Sequence, residues 1–557
     1  MPHAPNPSAS PFARRFACRA LVALVSCAMA GAPVLAQTGG VSASPVAPPA
    51  TPGAVFGSVP PVAPPGTDPA ARASNLPDLG DSAQAAMSPA QERRIGDATL
   101  KQLRAAGGYL DDPEVNDYLN ELGQRLVAVK NDGRFDFQFF AVPDASINAF
   151  AMPGGYIGVN SGLILLTQNE SELASVLAHE ITHVTQNHLA RMLESQKNSL
   201  LMSLAALALA LIAARSNSSS SGDMVGAAIT SAQALAVQNQ LNFTRENEYE
   251  ADRIGFQRLD LAGFDPSAAA TLMERLQKAS RFADGSVPTY LRTHPVTYER
   301  IAEAQARAQS RPYRQVADSP DFQMVRALLR SYVGASHEAV AWFDLALAEG
   351  KYNSEVATRY GLVASLLRDG KIPRAKKELA ALESIAPPHP MIEAIAGHVL
   401  LDGGEPERAA ARFQAALARY PTKMQLVYDY PEALLAAGQA PQATAFAEAQ
   451  LLRFPQDGRL HRIAAQGYAA QGKEQKQHQH LGEYYAWQGN LRLAIDQLEL
   501  AIKSGDSNFY ESSVVETRLR ALKREQDEQK KEGFGRSAGW RLDATPTEHL
   551  PPAPVAG

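Results

Sequence analysis

The sequence predicts an α+β domain, mostly helical with a small sheet, followed by an all-α superhelix of helical hairpins. Three observations predict it. Helical patterning runs from Glu170 to Arg191 around two histidines four residues apart. Strand-like stretches precede it at Phe135 to Val142, Ile147 to Met152 and Gly155 to Val159. In the C-terminal half, Gly, Ala and Pro positions recur every 34 residues. At 557 residues the chain has room for two or three domains with sizeable cores.

The N-terminus reads as an export signal over residues 1–36. Arg14, Arg15 and Arg19 form a basic region, Ala20 to Ala30 is apolar, and Val34-Leu35-Ala36 ends like a cleavage site before Gln37. A second reading is lipid modification, because Leu24-Val25-Ser26-Cys27 resembles a lipobox that would leave Cys27 acylated. Apolar sequence continues past Cys27 to Ala36, which favours cleavage at Ala36. Both cysteines, Cys18 and Cys27, lie in this segment, so the cleaved chain has no thiol, and any metal site in it must be built from His and carboxylates. Export without cysteine fits a bacterial periplasm. The formal charge of −5 becomes −8 when the three arginines leave, since residues 1–36 hold no acid. That balance speaks against a nucleic-acid partner. Residues 37–87 are rich in Pro, Ala, Ser and Gly, cannot bury enough apolar area to offset their ordering, and read as a flexible linker.

The domain expected over residues 88–312 opens with helices near Pro89 to Leu103 and Pro113 to Val129. Its strands follow, with Gly154 and Gly155 marking a turn or a close backbone approach. Then comes His179-Glu180-Ile181-Thr182-His183, an HExxH sequence. Two histidines four apart on a helix project from one face and can reach one metal ion. Glu180 lies about 100° round the helix, where a carboxylate can reach an attacking water without ligating the metal. Zinc with three protein ligands lowers the pKa of its water to roughly 7, so the pattern points to hydrolysis. No third His follows at short spacing, because Gln186 and Leu189 stand where a Gly and a His would be. The next candidates are acidic. In Glu246-Asn247-Glu248-Tyr249-Glu250-Ala251-Asp252, Glu248 and Asp252 are four apart and share a face. One can ligate zinc while the other accepts the second N–H of a ligand imidazole. Spacing alone leaves Glu246 and Glu250 open as the ligand.

HEITH, then ENEYEADRIG some sixty residues later, then THPVTYERIA, resembles the gluzincin family that includes the CAAX prenyl proteases and the HtpX heat-shock proteases. The specific motifs cover roughly Ser88 to Ser310. The resemblance implies a zincin-like metalloprotease fold with one zinc ion per chain. It implies His179, His183 and Glu248 as metal ligands, Glu180 as the catalytic base, and Asp252 as the partner that orients a ligand imidazole. His294, in Thr293-His294-Pro295, would be a resting-state fourth ligand or a donor to the oxyanion. The edge strand that holds an extended substrate by main-chain bonds would be Asn148 to Pro153, which assigns Asn148, Ala149, Phe150, Ala151 and Met152 to substrate binding. An ordinary core hairpin is the competing reading of those residues.

Leu200 to Ala214 is an almost unbroken apolar run, followed by a serine cluster. Fifteen helical residues span about 22 Å, short of the roughly 30 Å hydrocarbon core. The run also lies between the zinc ligands. Residues 200–237 therefore read as a helical hairpin beside the site: a lid, an element in peripheral membrane contact, or core. From about Phe322 the chain is Ala/Leu-rich. Gly370, Gly404, Gly438 and Gly472 are each 34 apart, Ala375, Ala409 and Ala443 keep the step, and so do Pro387, Pro421 and Pro455. This is the tetratricopeptide period, and it predicts a solenoid with a concave binding surface over 313–530. Ala341 extends the step backwards, while Gly489, Ala494 and Ala501 restart it 17 residues after Gly472. Residues 531–557 read as a disordered tail.

Three functions compete. The first is a periplasmic zinc endopeptidase whose repeats recruit substrates or an assembly machine. For an exported chain with helical repeats, the resemblance implies quality control of outer-membrane β-barrel proteins. Unfolded or misassembled outer-membrane proteins would be its clients and the barrel-assembly complex its partner. The second is an adaptor or chaperone in which the repeats act and the zinc site is latent or structural. The third, an integral membrane protease, ranks last because its single apolar run is too short.

Overall fold

The computed structural model describes residues 88–536, except 131–132, 193, 195–243, 283–287, 313 and 507–508. The export signal, the linker, the 200–237 segment and the chain beyond 536 lie outside the described residues.

The first helix, α1 (Pro89–Ala105), starts at Ser88, whose hydroxyl and the Gln91 side chain close a reciprocal capping box ahead of Pro89. Asp112 caps α2 (Pro113–Ala128) by accepting from the Val115 N–H. Three short strands follow: β1 (Gln138–Val142), β2 (Ala149–Met152) and β3 (Tyr156–Asn160). Their order is β1-β3-β2, with β1 parallel to β3 and β2 antiparallel to it. The β2–β3 turn needs left-handed backbone at Gly154 and Gly155, with φ of 80° and 87°. A Cβ at Gly154 would sit 2.7 Å from the Arg93 Cα, so that turn also seats α1. Pairing begins at Gln138↔Tyr156, which explains why β1 starts three residues after the predicted Phe135.

After α3 (Ser161–Leu166) comes α4 (Glu170–Thr185), capped by Asn169 accepting from the Glu172 N–H. The predicted helix through Arg191 is interrupted after Thr185. Asn187 takes a left-handed φ of 52° and residues 188–192 resume a helical turn. Helices α2 and α4 cover the sheet, burying Leu119, Leu126, Phe139, Ile157, Leu173 and Leu177 completely. The domain continues through α5 (244–261), α6 (Ala268–Phe282), α7 (Thr289–Thr293) and α8 (Tyr298–Gln309).

Twelve helices then stack from α9 (Pro320–Ser331) to α20 (Phe509–Arg536). Gly370, Gly404, Gly438, Gly472 and Gly489 have φ between 68° and 80°. After each, the next N–H donates to a carbonyl five residues back: Lys371 to Leu366, Glu405 to Leu400, Gln439 to Leu434, Lys473 to Tyr468 and Asn490 to Tyr485. That bond satisfies the orphan carbonyls of the ending helix and turns the chain into its partner. Ala375, Ala409 and Ala443 are fully buried at the helix crossings. Two expectations change. Ala341 is exposed, and the buried alanines of α10 (Ser336–Glu349) are Ala339, 36 residues before Ala375, and Ala346. The final helix runs on through Gly533 to Arg536, so order extends past the predicted boundary at 530.

The repeats are folded back onto the first domain. Tyr360 donates 2.6 Å to Glu114, the Met424 N–H donates 2.9 Å to Asp117, and Arg459 pairs with Asp111 at 2.8 Å. Arg104 lies over both Tyr109 and Trp487, at 4.7 and 4.4 Å from the ring centroids. The acidic face of α2 thus meets the repeat array. Among the described residues, no helix is long and apolar enough to cross a membrane.

Candidate metal centre and active site

Four side chains from three elements converge. The α4 helix presents His179 and His183 one turn apart, α5 brings Glu248 across from them, and His294 ends α7. His179 Nε2 lies 3.0 Å from His183 Nε2, 3.3 Å from His294 Nδ1 and 3.4 Å from Glu248 Oε2. Glu248 Oε1 lies 3.4 Å from His183 Nε2 and 2.9 Å from His294 Nδ1. Ligand atoms tetrahedrally disposed at the usual zinc distances are about 3.3 Å apart, so this set has the dimensions of a zinc cage. Glu180 is buried, and its Oε1 lies 3.5 Å from His294 Nε2 with no hydrogen-bond partner. A buried carboxylate oxygen left unpaired beside such a cage suits a water or substrate proton.

The site is electrostatically prepared for a cation. Burial would raise Glu248, but the imidazoles of His294 and His179 hold its carboxyl well below the usual range. Burial likewise opposes ionisation of Asp252, and bonds from His179 and Arg300 overcome it. His179 is driven both ways: burial lowers it, while Asp252 and Glu248 raise it to about 10. Burial and the neighbouring His179 push His183 well down, so it is neutral and free to ligate.

Each helix histidine is oriented from behind. His179 Nδ1 lies 3.0 Å from Asp252 Oδ1. Asp252 in turn accepts from Arg300 at 2.6 and 2.8 Å, and Arg300 also lies 2.8 Å from Glu248 and donates to the Pro295 carbonyl. On the other side, His183 Nδ1 lies 2.9 Å from His188 Nδ1, and His188 Nε2 lies 3.1 Å from Glu250, which Arg191 also holds at 2.8 Å. Such outer partners fix ring orientation and tautomer. The Tyr290 ring stacks on His294 at 4.8 Å.

The structure therefore brings together His179, His183, Glu248, His294 and Glu180, with Asp252 against His179. Glu250 lies behind His183 through His188. The five residues assigned to substrate binding divide. Strand β2 is an edge of the described sheet and packs against α4. Ala151 and Met152 line the pocket that also holds Glu180, His183 and His294. All five are buried, Phe150 packs edge-on against Phe140, and Asn148, Ala149 and Phe150 are not among the residues that line this pocket. Sequence reading gave no role to Arg300, His188 or Tyr290. Arg300 stands in the THPVTYERIA segment, which was the only signal for it. His188 could have been noticed as a third histidine near HExxH, but its approach depends on the turn at Asn187.

Comparison with known proteins agrees with this geometry. Peptidase family M48 matches residues 113–308, and the tetratricopeptide repeat matches residues 400–467. The chain is 32% identical over 457 residues to the β-barrel assembly-enhancing protease of Escherichia coli (strain K12), covering 82% of this chain and 92% of that one. It is 32% identical over 450 residues to the protein of the same name from Yersinia pestis, covering 81% and 92%. It is 30% identical over 214 residues to the mitochondrial metalloendopeptidase OMA1 of Schizosaccharomyces pombe, covering 38% and 59%. These are proteases, which favours the enzyme over the adaptor. The chain belongs to the β-barrel assembly-enhancing proteases of peptidase family M48 and is a zinc metalloendopeptidase.

Proposed function

We propose that this chain is a periplasmic endopeptidase that removes misassembled outer-membrane β-barrel proteins, with its repeat array engaging those clients or the barrel-assembly complex. The names of its relatives and the helical repeats support this reading. The proposed division is an export signal over 1–36, a linker over 37–87, the protease domain over 88–312 and the repeat domain from 313, its last helix running past 530 to Arg536. The observation that carries the chemistry is the tetrahedral-sized cluster of His179, His183, Glu248 and His294 beside the unpaired Oε1 of Glu180.

His179, His183 and Glu248 would hold the zinc, and Asp252 keeps His179 in the tautomer whose Nε2 faces inward. Zinc bound there would supply Lewis acidity for the scissile carbonyl and its attacking water. Glu180 takes the proton from that water at a carboxylate oxygen and passes it to the leaving amine. His294 would add its Nδ1 to that set at rest, and its Nε2–H, 3.5 Å from Glu180 Oε1, would donate to the developing oxyanion. The edge that β2 forms in the described sheet, at Ala151 and Met152, offers main-chain bonds to an extended peptide.

The test is Glu180→Gln in the full-length protein. It should retain one zinc per chain by elemental analysis and lose β-casein cleavage by a factor of at least about 10³. Undiminished cleavage by that variant would remove Glu180 from the reaction.

A further inference from the structure

Two buried asparagines in the pocket beside Glu180 have no part in the metal cage. Asn187 is 8% exposed and Asn247 7%, and both line the cavity that contains Ala151, Met152, Glu180 and His294. The Nδ2 of Asn187 and the Oδ1 of Asn247 have no hydrogen-bond partner. Buried amide groups are almost always paired, and an unpaired one is costly, so two in one pocket call for a ligand.

The backbone accounts for only part of Asn187. Its φ of 52° makes it the only non-glycine residue in the left-handed region among the described residues, and Asn tolerates that conformation. Its backbone is satisfied, since its N–H donates to the Val184 carbonyl and its own carbonyl accepts from the Arg191 N–H. Nothing in that turn uses the side-chain amide, for which Gly would serve as well. Asn247 precedes Glu248 on α5, and Ala would suit a helix there better.

We propose that Asn187 and Asn247 form a donor–acceptor pair that reads the main chain of the substrate. The Asn187 amide donates to a peptide carbonyl and the Asn247 carbonyl accepts a peptide N–H. A peptide group offers one acceptor and one donor, and so do these two free atoms. Main-chain recognition makes no demand on client sequence, which suits a protease for unfolded chains of varied sequence. Together with the edge of β2, the pair holds an extended peptide from two sides of Glu180. Both residues bind substrate without holding metal. The inference rests on the protease reading above, and its test separates the two.

Full-length Glu180→Gln protein loaded with zinc binds without turnover, and fluorescein-labelled β-casein is the probe. Adding Asn187→Gly, which keeps the turn, or Asn247→Leu, which keeps the branched shape without the polar atoms, should weaken binding about tenfold each, the cost of one lost hydrogen bond. Zinc stoichiometry and melting temperature should be unchanged. In the cleaving protein the same changes should raise KM in proportion. Asn187→Asp, which turns the donor into an acceptor at constant shape, should weaken binding at least as much. Affinity within twofold of the parent in both Asn187→Gly and Asn247→Leu overturns the proposal. If Asn247→Leu lowers the melting temperature, the two Asn187 variants decide. Failure of the protease reading would look different: no cleavage by the parent enzyme, with the binding differences intact.

Discussion

At the scale of single residues, the centre depends on groups that never touch metal. His188 is 4% exposed and joins His183 to Glu250. Its loss frees the His183 ring to rotate and removes the tie to a charged partner. His188→Ala is expected to weaken zinc binding by about 10–100-fold, measured by competition with a chromogenic chelator. Unchanged affinity would mean that α4 alone fixes His183. Arg300 is a harder case, because it neutralises both Glu248 and Asp252 from 4% exposure. Arg300→Met leaves two buried carboxylates without their cation. It is expected to cost about 3–5 kcal/mol in the metal-free protein and distinctly less with zinc bound, read as the difference between two urea midpoints. HExxH and the Glu248/Asp252 pair were legible from sequence because helical spacing fixes a face within one turn. His188 and Arg300 were not, because their roles arise from helix breaks at Asn187 and Pro295 that carry no periodic signal.

At the scale of elements, the repeats show how little sequence a hairpin needs. A left-handed glycine ends each first helix, an alanine lets the helices cross closely, and a large ring fills what remains. In α13 (Pro390–Asp402), a Cβ on Gly397 would lie 2.1 Å from the Phe413 ring of α14 (Pro406–Arg419). Gly361 meets Phe343 in the same way, at 2.3 Å. Gly397→Ala should therefore destabilise the repeat array by about 1–3 kcal/mol through overpacking. Gly438→Ala meets no atom within 4 Å, but its φ of 73° costs about 1–2 kcal/mol for an L-residue. Both are checked by the denaturant midpoint of the repeat transition in tryptophan fluorescence. A neutral Gly438→Ala would show that the turn relaxes to a right-handed form. The 34-residue step was readable because these positions recur, and it slipped at Ala341 because the loop over 350–354 and the helix Glu355–Arg368 are each one residue longer than the loop over 386–389 and the helix Pro390–Asp402. The sheet was readable as strands but not as an order, since placing β3 between its neighbours is a tertiary choice.

At the scale of the whole molecule, the repeat array closes on an acidic helix of the protease domain, and that seam titrates near neutral pH. Burial, reinforced by the nearby Asp112, raises Glu114 to about 8, although Tyr360 donates to it and His398 favours its charge. Burial raises Asp117 to about 6. His398, 3.0 Å from Asp429, is lowered by burial but raised to about 9 by Asp429 and Glu114. The signs agree. An acid raised from 4.5 to about 8 binds its proton more tightly when folded, so stability falls as pH climbs through that interval. A histidine raised from 6.5 to about 9 contributes stability that is full below pH 6.5 and lost as pH rises through 9. The carboxylates around Arg300 are depressed and ionised throughout this range, so they add no opposing slope above pH 5. Burial weakens the protons of His183, His188 and His461, which opposes this slope up to about pH 6.5, so the melting temperature is expected to fall from pH 7 to pH 9, checked by scanning calorimetry on the zinc-loaded protein. Glu114→Gln keeps the acceptor for Tyr360 and removes the charge. It should raise stability at pH 8 by on the order of 1–3 kcal/mol and flatten the slope between pH 5 and 8. A profile that rose with pH, or a Glu114→Gln protein with the parent's slope, would show that the seam between the two domains stays wet enough to keep Glu114 ionised.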